Sequence, residues 1–175
     1  MATSEPTSGV IVRTPIPRSI ARIRQAFDDG AALDVPPHVT VLFPFLPPGS
    51  LDASIRRELA DIAASHESFD VRFTTIGRFP GLLYLAPEPA APFVALTQAC
   101  VERFPDFPPY AGVHDEIVPH LTILEGSQAQ DADVGHRLQA SLPFSVHVRA
   151  IEVITPSEQG PWRLRWRLPL GPRRP

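Results

Sequence analysis

The chain contains one short segment twice, and both copies read proline, histidine, an apolar residue, threonine and two further apolar residues. The first copy runs from Pro37 to Leu42 and the second from Pro119 to Leu124. β-Branched and aliphatic residues in such a run, with a proline just before them, favour a short β-strand. Since side chains alternate between the two faces of a strand, the histidine and threonine of each copy share one face. The repeat therefore predicts two similar strands, each with a polar pair on one face and apolar residues on the other.

The polar pairs of the two strands, His38 with Thr40 and His120 with Thr122, are the candidate catalytic residues. A histidine and a threonine on an otherwise apolar strand leave polar groups that need partners if they are buried. A single His-x-Thr segment is common and is more often structural than catalytic. Two copies at the same offset in matching strands instead indicate two halves of one site.

Two His-x-Thr strands, one in each half of a chain of this size, resemble the 2H phosphoesterase superfamily. That superfamily includes the RNA 2′,3′-cyclic phosphodiesterases, also called 2′-5′ RNA ligases. The resemblance covers nearly the whole chain, although only the two motifs are specific. It implies a two-lobed α+β fold in which two similar, mostly antiparallel sheets face a central groove and the helices lie outside. Each half would supply one His-x-Thr to a shared phosphate site, without a metal or another cofactor.

One position departs from the pattern of the RNA-ligase branch. Members of that branch commonly carry an arginine shortly after the second motif, whereas Glu125 and Gly126 stand there in this chain. The departure leaves the two-histidine chemistry intact but weakens the inference to RNA in particular.

The composition predicts one folded domain without a general affinity for polyanions. At 175 residues with 43% hydrophobic content, the chain can bury a sizeable core. The net charge is −3, and all 16 basic residues are arginine. Arginine offers a planar donor fork that suits phosphate, but an all-arginine set can equally reflect genomic base composition. We expect a flexible tail over residues 1–9, a single bilobal domain over residues 10–170 and a second tail over residues 171–175.

The expected location is the cytoplasm. The single cysteine, Cys100, excludes an internal disulfide and suits a reducing compartment. The polar start of the chain lacks the layout of a secretion signal, and no apolar run approaches the ~18 residues that a membrane span needs. We therefore expect a soluble protein with no membrane contact and no obligatory protein partner.

Helical and strand periodicities alternate along the chain, which is typical of an α+β domain with mostly antiparallel pairing. Ser50 is the predicted N-cap of the second helix. The predicted helices cover residues 18–27, about 51–66, 91–104 and 131–140, and the predicted strands cover residues 10–12, the two motif segments, 69–79, 82–86, 144–154 and 162–170.

The last predicted strand alternates aromatic and aliphatic residues with arginines. An arginine face that lines the groove would attract phosphate or a nucleotide backbone. A solvated outer face is the equally acceptable alternative, because half-exposed antiparallel strands normally have this pattern. The candidate substrate-binding arginines are Arg163, Arg165 and Arg167, and the apolar positions are Trp162, Leu164, Trp166 and Leu168.

Three aromatic residues, Phe45, Tyr110 and Trp166, are candidates for stacking on a base, with core packing as the alternative for each.

The loop that precedes the second motif contains residue types that could bind a metal. His114, Asp115 and Glu116 lie near His120 in the sequence, but their spacing matches no compact metal motif. No metal ligand is predicted.

Two imidazoles that face one phosphate can carry out acid–base cleavage of a phosphodiester. Histidine titrates near pH 6.5, so one ring can be neutral and the other charged at the same pH. The neutral ring accepts a proton from water, and the charged ring donates one to the departing ribose oxygen. Threonine hydroxyls can donate hydrogen bonds to the non-bridging oxygens. The motifs are nearly symmetric, so the sequence does not say which ring is the base.

The resemblance implies that the substrate is a cyclic nucleotide or an RNA with a 2′,3′-cyclic phosphate end, with 2′-5′ ligation as the reverse reaction. Two other classes remain open at this point. A non-catalytic module could bind a nucleotide or RNA in the same groove, and a metal-dependent hydrolase would lose its activity on treatment with a chelator.

Overall fold

The computed structural model describes residues 7–112, 116–126, 132–157 and 160–172. The strands are β1 (Gly9–Arg13), β2 (His38–Leu42), β3 (Phe69–Phe79), β4 (Leu82–Glu88), β5 (Leu121–Glu125), β6 (Phe144–Val148), β7 (Ala150–Ser157) and β8 (Gly160–Pro169). The α-helices are α1 (Arg18–Phe27), α2 (Asp29–Ala32), α3 (Ala53–Ser65), α4 (Ala91–Arg103) and α5 (Ala132–Gln139), and short 3₁₀ turns cover Pro48–Ser50 and Pro109–Gly112.

The eight strands form one sheet in the order β6-β3-β4-β5-β2-β1-β7-β8, and neighbouring strands are antiparallel. The α+β fold class is thereby confirmed. The two sheets that the family resemblance implied are the two four-stranded halves of this sheet. They meet where β2 lies beside β5, at the register pair Val39 and Leu121. The two motif strands are therefore the central strands of the fold.

The α-helices link the two halves through the apolar face of the sheet. Helix α1 follows β1 but contacts β5, and α4 follows β4 but contacts β2, so each helix packs on the motif strand of the opposite half. Val39 and Leu121 are fully buried on this face, together with Ile20 of α1 and Leu96 of α4. Because apolar side chains occupy this face, the polar residues of β2 and β5 are directed to the other face of the sheet.

The second long helix begins later than the sequence predicted. Ser50 lies in a 3₁₀ turn, and the N-cap of α3 is Asp52, whose carboxylate accepts hydrogen bonds from the backbone nitrogens of Ser54 and Ile55 at 2.8 and 3.0 Å. A carboxylate is as good a cap as a hydroxyl, and it adds a favourable interaction with the helix dipole.

Parts of both expected tails, residues 1–9 and 171–175, are packed against the folded domain. Ser8 is fully buried, and its backbone nitrogen donates to the Leu46 carbonyl at 3.0 Å. At the other end, the Gly171 nitrogen donates to the His66 carbonyl at 2.7 Å. Residues 7–9 and 171 are therefore part of the folded unit.

The strand predicted over residues 144–154 is two strands. It is interrupted at Arg149, and the pieces pair in different halves of the sheet: β6 pairs with β3, whereas β7 pairs with β1 and β8. The apolar alternation continues on both sides of the break, so the pattern alone favours one strand.

Among the described residues, no helix combines the length and the apolar character that a membrane crossing requires. Cys100 is buried in the core, and burial raises the pKa of its thiol to about 12.

Candidate active site

The two motifs lie side by side on the face of the sheet opposite the helices. In the antiparallel register fixed by Val39 and Leu121, His38 lies opposite Thr122 and Thr40 lies opposite His120. Cross-strand neighbours in such a register have Cβ atoms about 4.5–5.5 Å apart, and diagonal neighbours such as the two histidines are about 7–8 Å apart. All four side chains line one cavity of about 400 Å³. A phosphate group can thus reach both imidazoles from one position.

Both histidine rings are held by the same hydrogen bond. Nδ1 of His38 lies 2.7 Å from the carbonyl oxygen of Pro36, and Nδ1 of His120 lies 2.7 Å from the carbonyl oxygen of Val118. A carbonyl oxygen only accepts, so Nδ1 carries the proton in each ring. In the neutral form, Nε2 is then the basic nitrogen, and in the charged form it is the nitrogen that can release a proton to a ligand.

The surroundings of His38 favour its neutral form. Burial lowers the pKa of His38 to about 4; the hydrogen bond to Pro36 raises it, and the positive charges of Arg24 and His120 lower it further. Near pH 7 the ring is therefore a neutral imidazole whose Nε2 can accept a proton.

Arg24 is a charged residue that the sequence reasoning missed. Its side chain is only 7% exposed, its Nη2 forms an ion pair with Asp28 at 2.9 Å, and its Nη1 donates to the Val35 carbonyl at 2.9 Å. Nε of Arg24 is buried and has no hydrogen-bond partner. Both members of the ion pair line the cavity. A sequence signal existed, since Arg24 lies four residues after Ile20 and three before Phe27 on the buried face of α1, and an aspartate follows four residues later.

Aromatic rings surround His120. Its ring centroid lies 5.5 Å from that of Phe79, 5.4 Å from that of Tyr84 and 6.2 Å from that of Tyr110. Tyr84 reaches this position because its ring lies over Gly77 of the neighbouring strand, where a Cβ atom would stand 2.2 Å from the ring. The cluster of Phe79, Tyr84 and Tyr110, which we call the aromatic wall, gives His120 an environment different from that of His38.

Tyr110, a predicted substrate-binding residue, lies in the cavity between the two motifs. Its backbone adopts the left-handed conformation with a φ of 51°, and its backbone nitrogen donates to the Phe43 carbonyl at 2.6 Å. Its hydroxyl is hydrogen-bonded to Thr40, and burial raises the pKa of the phenol. The phenol therefore stays protonated beside Thr40.

The far wall of the cavity contains Trp162, which the sequence reasoning did not select. A β-bulge makes the difference: Ile154 pairs with Leu164, but the preceding residue, Val153, pairs with Trp166, so Arg165 has no opposite partner. The bulge reverses the alternation of β8 at this point. Trp162 thereby points to the cavity, where its ring lies 6.2 Å from that of Phe43.

The same bulge corrects the predicted arginine face. Arg167 pairs with Glu152 on the face that carries the cavity, Arg163 pairs with Thr155 on the opposite face, and Arg165 is the bulged residue. None of the three lines the cavity.

For two of the candidate stacking residues, the alternative of core packing applies. Phe45 is 2% exposed and packs edge-on against Phe104 and Phe107 in the core. Trp166 packs against the apolar core on the helix side of the sheet. Neither side chain is available to a base at the cavity.

In the part of the chain that the structure describes, no group of three or more histidine, cysteine, aspartate or glutamate side chains is arranged to hold a metal ion. His114 and Asp115, the loop residues with metal-binding side chains, lie outside the described residues.

A sequence model of the 2′-5′ RNA ligase superfamily matches residues 12–160. The chain belongs to that superfamily. It is thus a 2H phosphoesterase by descent, as the doubled His-x-Thr motif indicated. No curated protein sequence matches the chain.

Solved structures of low sequence identity share the fold. TT0787 of Thermus thermophilus superposes with a TM-score of 0.63 at 16% identity, covering 96% of this chain and 100% of that one. E. coli LigT complexed with ATP gives a TM-score of 0.58 at 15% identity, covering 96% and 99%. E. coli LigT complexed with 3′-AMP gives 0.52 at 17% identity, with the same coverage.

Proposed function

We propose that this 2H phosphoesterase opens 2′,3′-cyclic phosphates of nucleotides or RNA ends, with the two histidines as its acid and base. The observation that carries the proposal is the convergence of His38, Thr40, His120 and Thr122 on one cavity, with both rings presenting Nε2. Because the two imidazoles supply both proton transfers, the reaction requires no metal ion.

His38 is the general base in this proposal. Its low pKa keeps the ring neutral, so Nε2 can take a proton from the attacking water. The water oxygen forms a bond to phosphorus while the bond from phosphorus to one ribose oxygen breaks. The positive charge of Arg24 also lowers the pKa of His38, because it disfavours a second positive charge on the nearby ring. This helps to keep the base neutral next to the phosphate.

His120 is the general acid. Protonated at both nitrogens, it keeps the hydrogen bond to Val118 through Nδ1 and donates the Nε2 proton to the departing ribose oxygen. The aromatic wall supports this role, because the faces of aromatic rings attract a cation. The ribose hydroxyl leaves neutral, and the product is a phosphate monoester.

The threonines stabilise the charge that develops on the phosphate. One hydrogen-bond donor aimed at a non-bridging oxygen can stabilise the transition state by up to about 2.7–4 kcal/mol. Tyr110 is hydrogen-bonded to Thr40 and orients that hydroxyl in the cavity. Thr122 would contact the phosphate from the other strand.

Trp162 and Phe43 form the part of the cavity that suits a nucleoside. Their rings form a tilted pair 6.2 Å apart at the cavity wall, and a base can stack on an exposed aromatic face. E. coli LigT forms crystalline complexes with 3′-AMP and with ATP, and we propose that the present chain likewise binds a nucleotide in this groove. Ligation would be the same ring opening with a ribose hydroxyl in place of water as the nucleophile: the bond from phosphorus to the 3′ oxygen breaks and a 2′-5′ bond remains.

A substrate screen tests the function. The purified protein is incubated with 2′,3′-cyclic nucleotides, 2′-5′-linked oligomers and RNA with a 2′,3′-cyclic phosphate end, with and without EDTA, and the products are followed by ³¹P NMR. We expect conversion of a cyclic phosphate to a monoester that persists in EDTA. Binding without turnover of any of these compounds would favour the non-catalytic module, and activity that EDTA abolishes would overturn the two-histidine proposal.

A further inference from the structure

An arginine lies directly beside His38 on the cavity face of the sheet. Arg13 is the register partner of His38 across β1 and β2, so their side chains leave the sheet on the same face with Cβ atoms about 4.5–5.5 Å apart. Arg13 does not line the cavity itself, and its side chain is 48% exposed. It therefore offers a positive charge just outside the site of the proposed reaction.

A buried carboxylate holds this arginine and lies close to a second one. Glu152 is 3% exposed and pairs on β7 with Ile11 of β1, which lies on the same face of the sheet as Arg13. One of its oxygens accepts a hydrogen bond from Nε of Arg13 at 2.9 Å, and the other lies 4.0 Å from Nε of Arg167, which pairs with Glu152 on β8. We call the set of Arg13, Glu152 and Arg167 the arginine strip.

Arg13 donates to Glu152 through Nε, and Nε is also the atom of Arg167 closest to this carboxylate. The opposite edge of the Arg13 guanidinium keeps N–H donors that Glu152 does not use, and the Arg167 side chain is 64% exposed. A guanidinium fixed in this way loses less conformational freedom when it binds a phosphate, because its donor fork is already oriented. Two exposed arginines over one buried carboxylate leave a net positive charge at the surface.

The geometry points to a nucleic-acid subsite: we propose that the arginine strip binds the phosphate backbone of an RNA strand whose reacting end lies at His38 and His120. This inference rests on the proposed function. Strand β8 is three strands away from β2, which corresponds to about 14 Å at the usual spacing. Arg167 would therefore contact a part of the substrate beyond the reacting nucleotide, so the strip favours a polynucleotide over a cyclic mononucleotide.

The strip also replaces the arginine face that the sequence predicted. Only Arg167 of the three candidate arginines lies on the cavity face, and its partner in binding is Arg13, from the first strand of the chain. Arg163, on the same strand but the opposite face, is a matched control for charge.

The experiment compares two substrates across four proteins. The substrates are a cyclic mononucleotide and a short oligoribonucleotide with a 2′,3′-cyclic phosphate end. The proteins are the parent, Arg167→Gln, the double variant Arg13→Gln/Glu152→Gln and the control Arg163→Gln. The double variant removes both charges of the short ion pair, because loss of Arg13 alone would leave a buried carboxylate without its closest partner.

We expect the ratio of kcat/KM for the oligonucleotide to kcat/KM for the mononucleotide to fall in both strip variants and to stay at the parent value in Arg163→Gln. In a salt series, each lost phosphate contact should reduce the slope of log kcat/KM for the oligonucleotide against log salt by about 0.7. A cooperative thermal unfolding transition shows that each variant is folded. If the double variant does not fold, the comparison rests on Arg167→Gln, which changes an exposed side chain.

The two proposals fail in different ways. A parent protein that opens neither substrate contradicts the proposed function, and with it the strip. A parent that opens both substrates while Arg167→Gln keeps the same ratio and the same salt slope as Arg163→Gln overturns the strip alone.

Discussion

His38 and His120 hold their rings in the same way, since Nδ1 of each donates to the carbonyl oxygen two residues earlier at 2.7 Å. The repeat thus reproduces a side-chain orientation as well as a strand. The surroundings of the two rings are different: a buried arginine and apolar residues lie near His38, whereas the aromatic wall surrounds His120. The two rings thus have the same orientation but different neighbours, and this difference would allow one histidine to act as the base and the other as the acid.

The first prediction concerns the titration of His38. With its pKa lowered to about 4, the folded ring should remain neutral at pH values where an ordinary histidine, near 6.5, is charged. NMR titration of the histidine ring protons, with assignment by His38→Gln, should show one ring that stays neutral down to about pH 5. A His38 midpoint near 6.5 would contradict this.

The same shift has a consequence for stability. Because the unfolded ring takes up a proton near pH 6.5 and the folded ring only near 4, the contribution of His38 to the free energy of unfolding is complete above 6.5 and is lost as the pH falls toward 4. The loss should be smaller in His38→Gln, which thermal unfolding at a series of pH values measures.

The second prediction concerns Arg24 as a determinant of that titration. The double variant Arg24→Met/Asp28→Asn removes both charges of the buried pair, so the pKa of His38 should rise. The acidic limb of the kcat/KM profile should move to higher pH with it, because that limb reports the base in the free enzyme. Arg22→Met, an exposed arginine of the same helix, is the control. Identical acidic limbs in both variants would show that Arg24 does not influence the base.

The third prediction concerns Gly77. An alanine there places a Cβ atom 2.2 Å from the Tyr84 ring, so the ring must move away from the strand. We expect the free energy of unfolding to fall by roughly 1–3 kcal/mol, as overpacking does, and the contacts between Tyr84 and His120 to be lost. Gly49→Ala is the matched control, because nothing lies within 4 Å of a Cβ atom at that position. Nuclear Overhauser effects between the two rings report the displacement, and unchanged effects in Gly77→Ala would show that the glycine is not needed for the aromatic wall.

The fourth prediction separates the two tryptophans. Trp162 lines the cavity and Trp166 packs against the core on the other face. A nucleotide should therefore quench the fluorescence of Trp166→Phe, in which Trp162 remains, and leave that of Trp162→Phe nearly unchanged. Stacking of one base is typically worth about 1–3 kcal/mol by truncation, so Trp162→Ala should weaken nucleotide binding roughly 5- to 150-fold. Quenching that persists in Trp162→Phe would contradict a base site at this wall.

The local pattern was sufficient to predict the two motif strands and their polar faces but not the walls of the cavity beside them. The doubled motif predicted two strands with shared polar faces, and both strands lie at the centre of the sheet, adjacent to each other. This prediction succeeds because the alternation of side chains between the two faces of a five-residue strand depends only on backbone geometry.

The misplaced residues depended on long-range pairing. The orientation of Trp162, Arg163 and Arg167 is decided by a bulge at Arg165, which arises from the register of β8 against β7 and has no signature in the alternation of β8 itself. Phe45 differs from these, since a single aromatic residue after a motif strand is compatible with either the core or the cavity. The burial of Arg24 was readable from its place on the apolar face of α1, but its nearness to His38 was not, because α1 and β2 are brought together only by the fold.

The central claim is that two histidines act as a unit on one cyclic phosphate, and threonines play a smaller part. Removal of Thr40 or Thr122 should cost a few kcal/mol of transition-state stabilisation at most. Removal of either histidine should cost several orders of magnitude in kcat, because each proton transfer contributes typically 10²–10⁴-fold and neither proceeds well without the other.

The most direct test is a comparison of His38→Ala, His120→Ala and the double variant with the parent, by hydrolysis of a 2′,3′-cyclic nucleotide under single-turnover conditions. Each single variant should lose most of the activity, and the double variant should be little worse than either one, as for groups that work together. A His120→Ala protein that folds normally and opens the cyclic phosphate at nearly the parent rate would contradict the two-histidine mechanism.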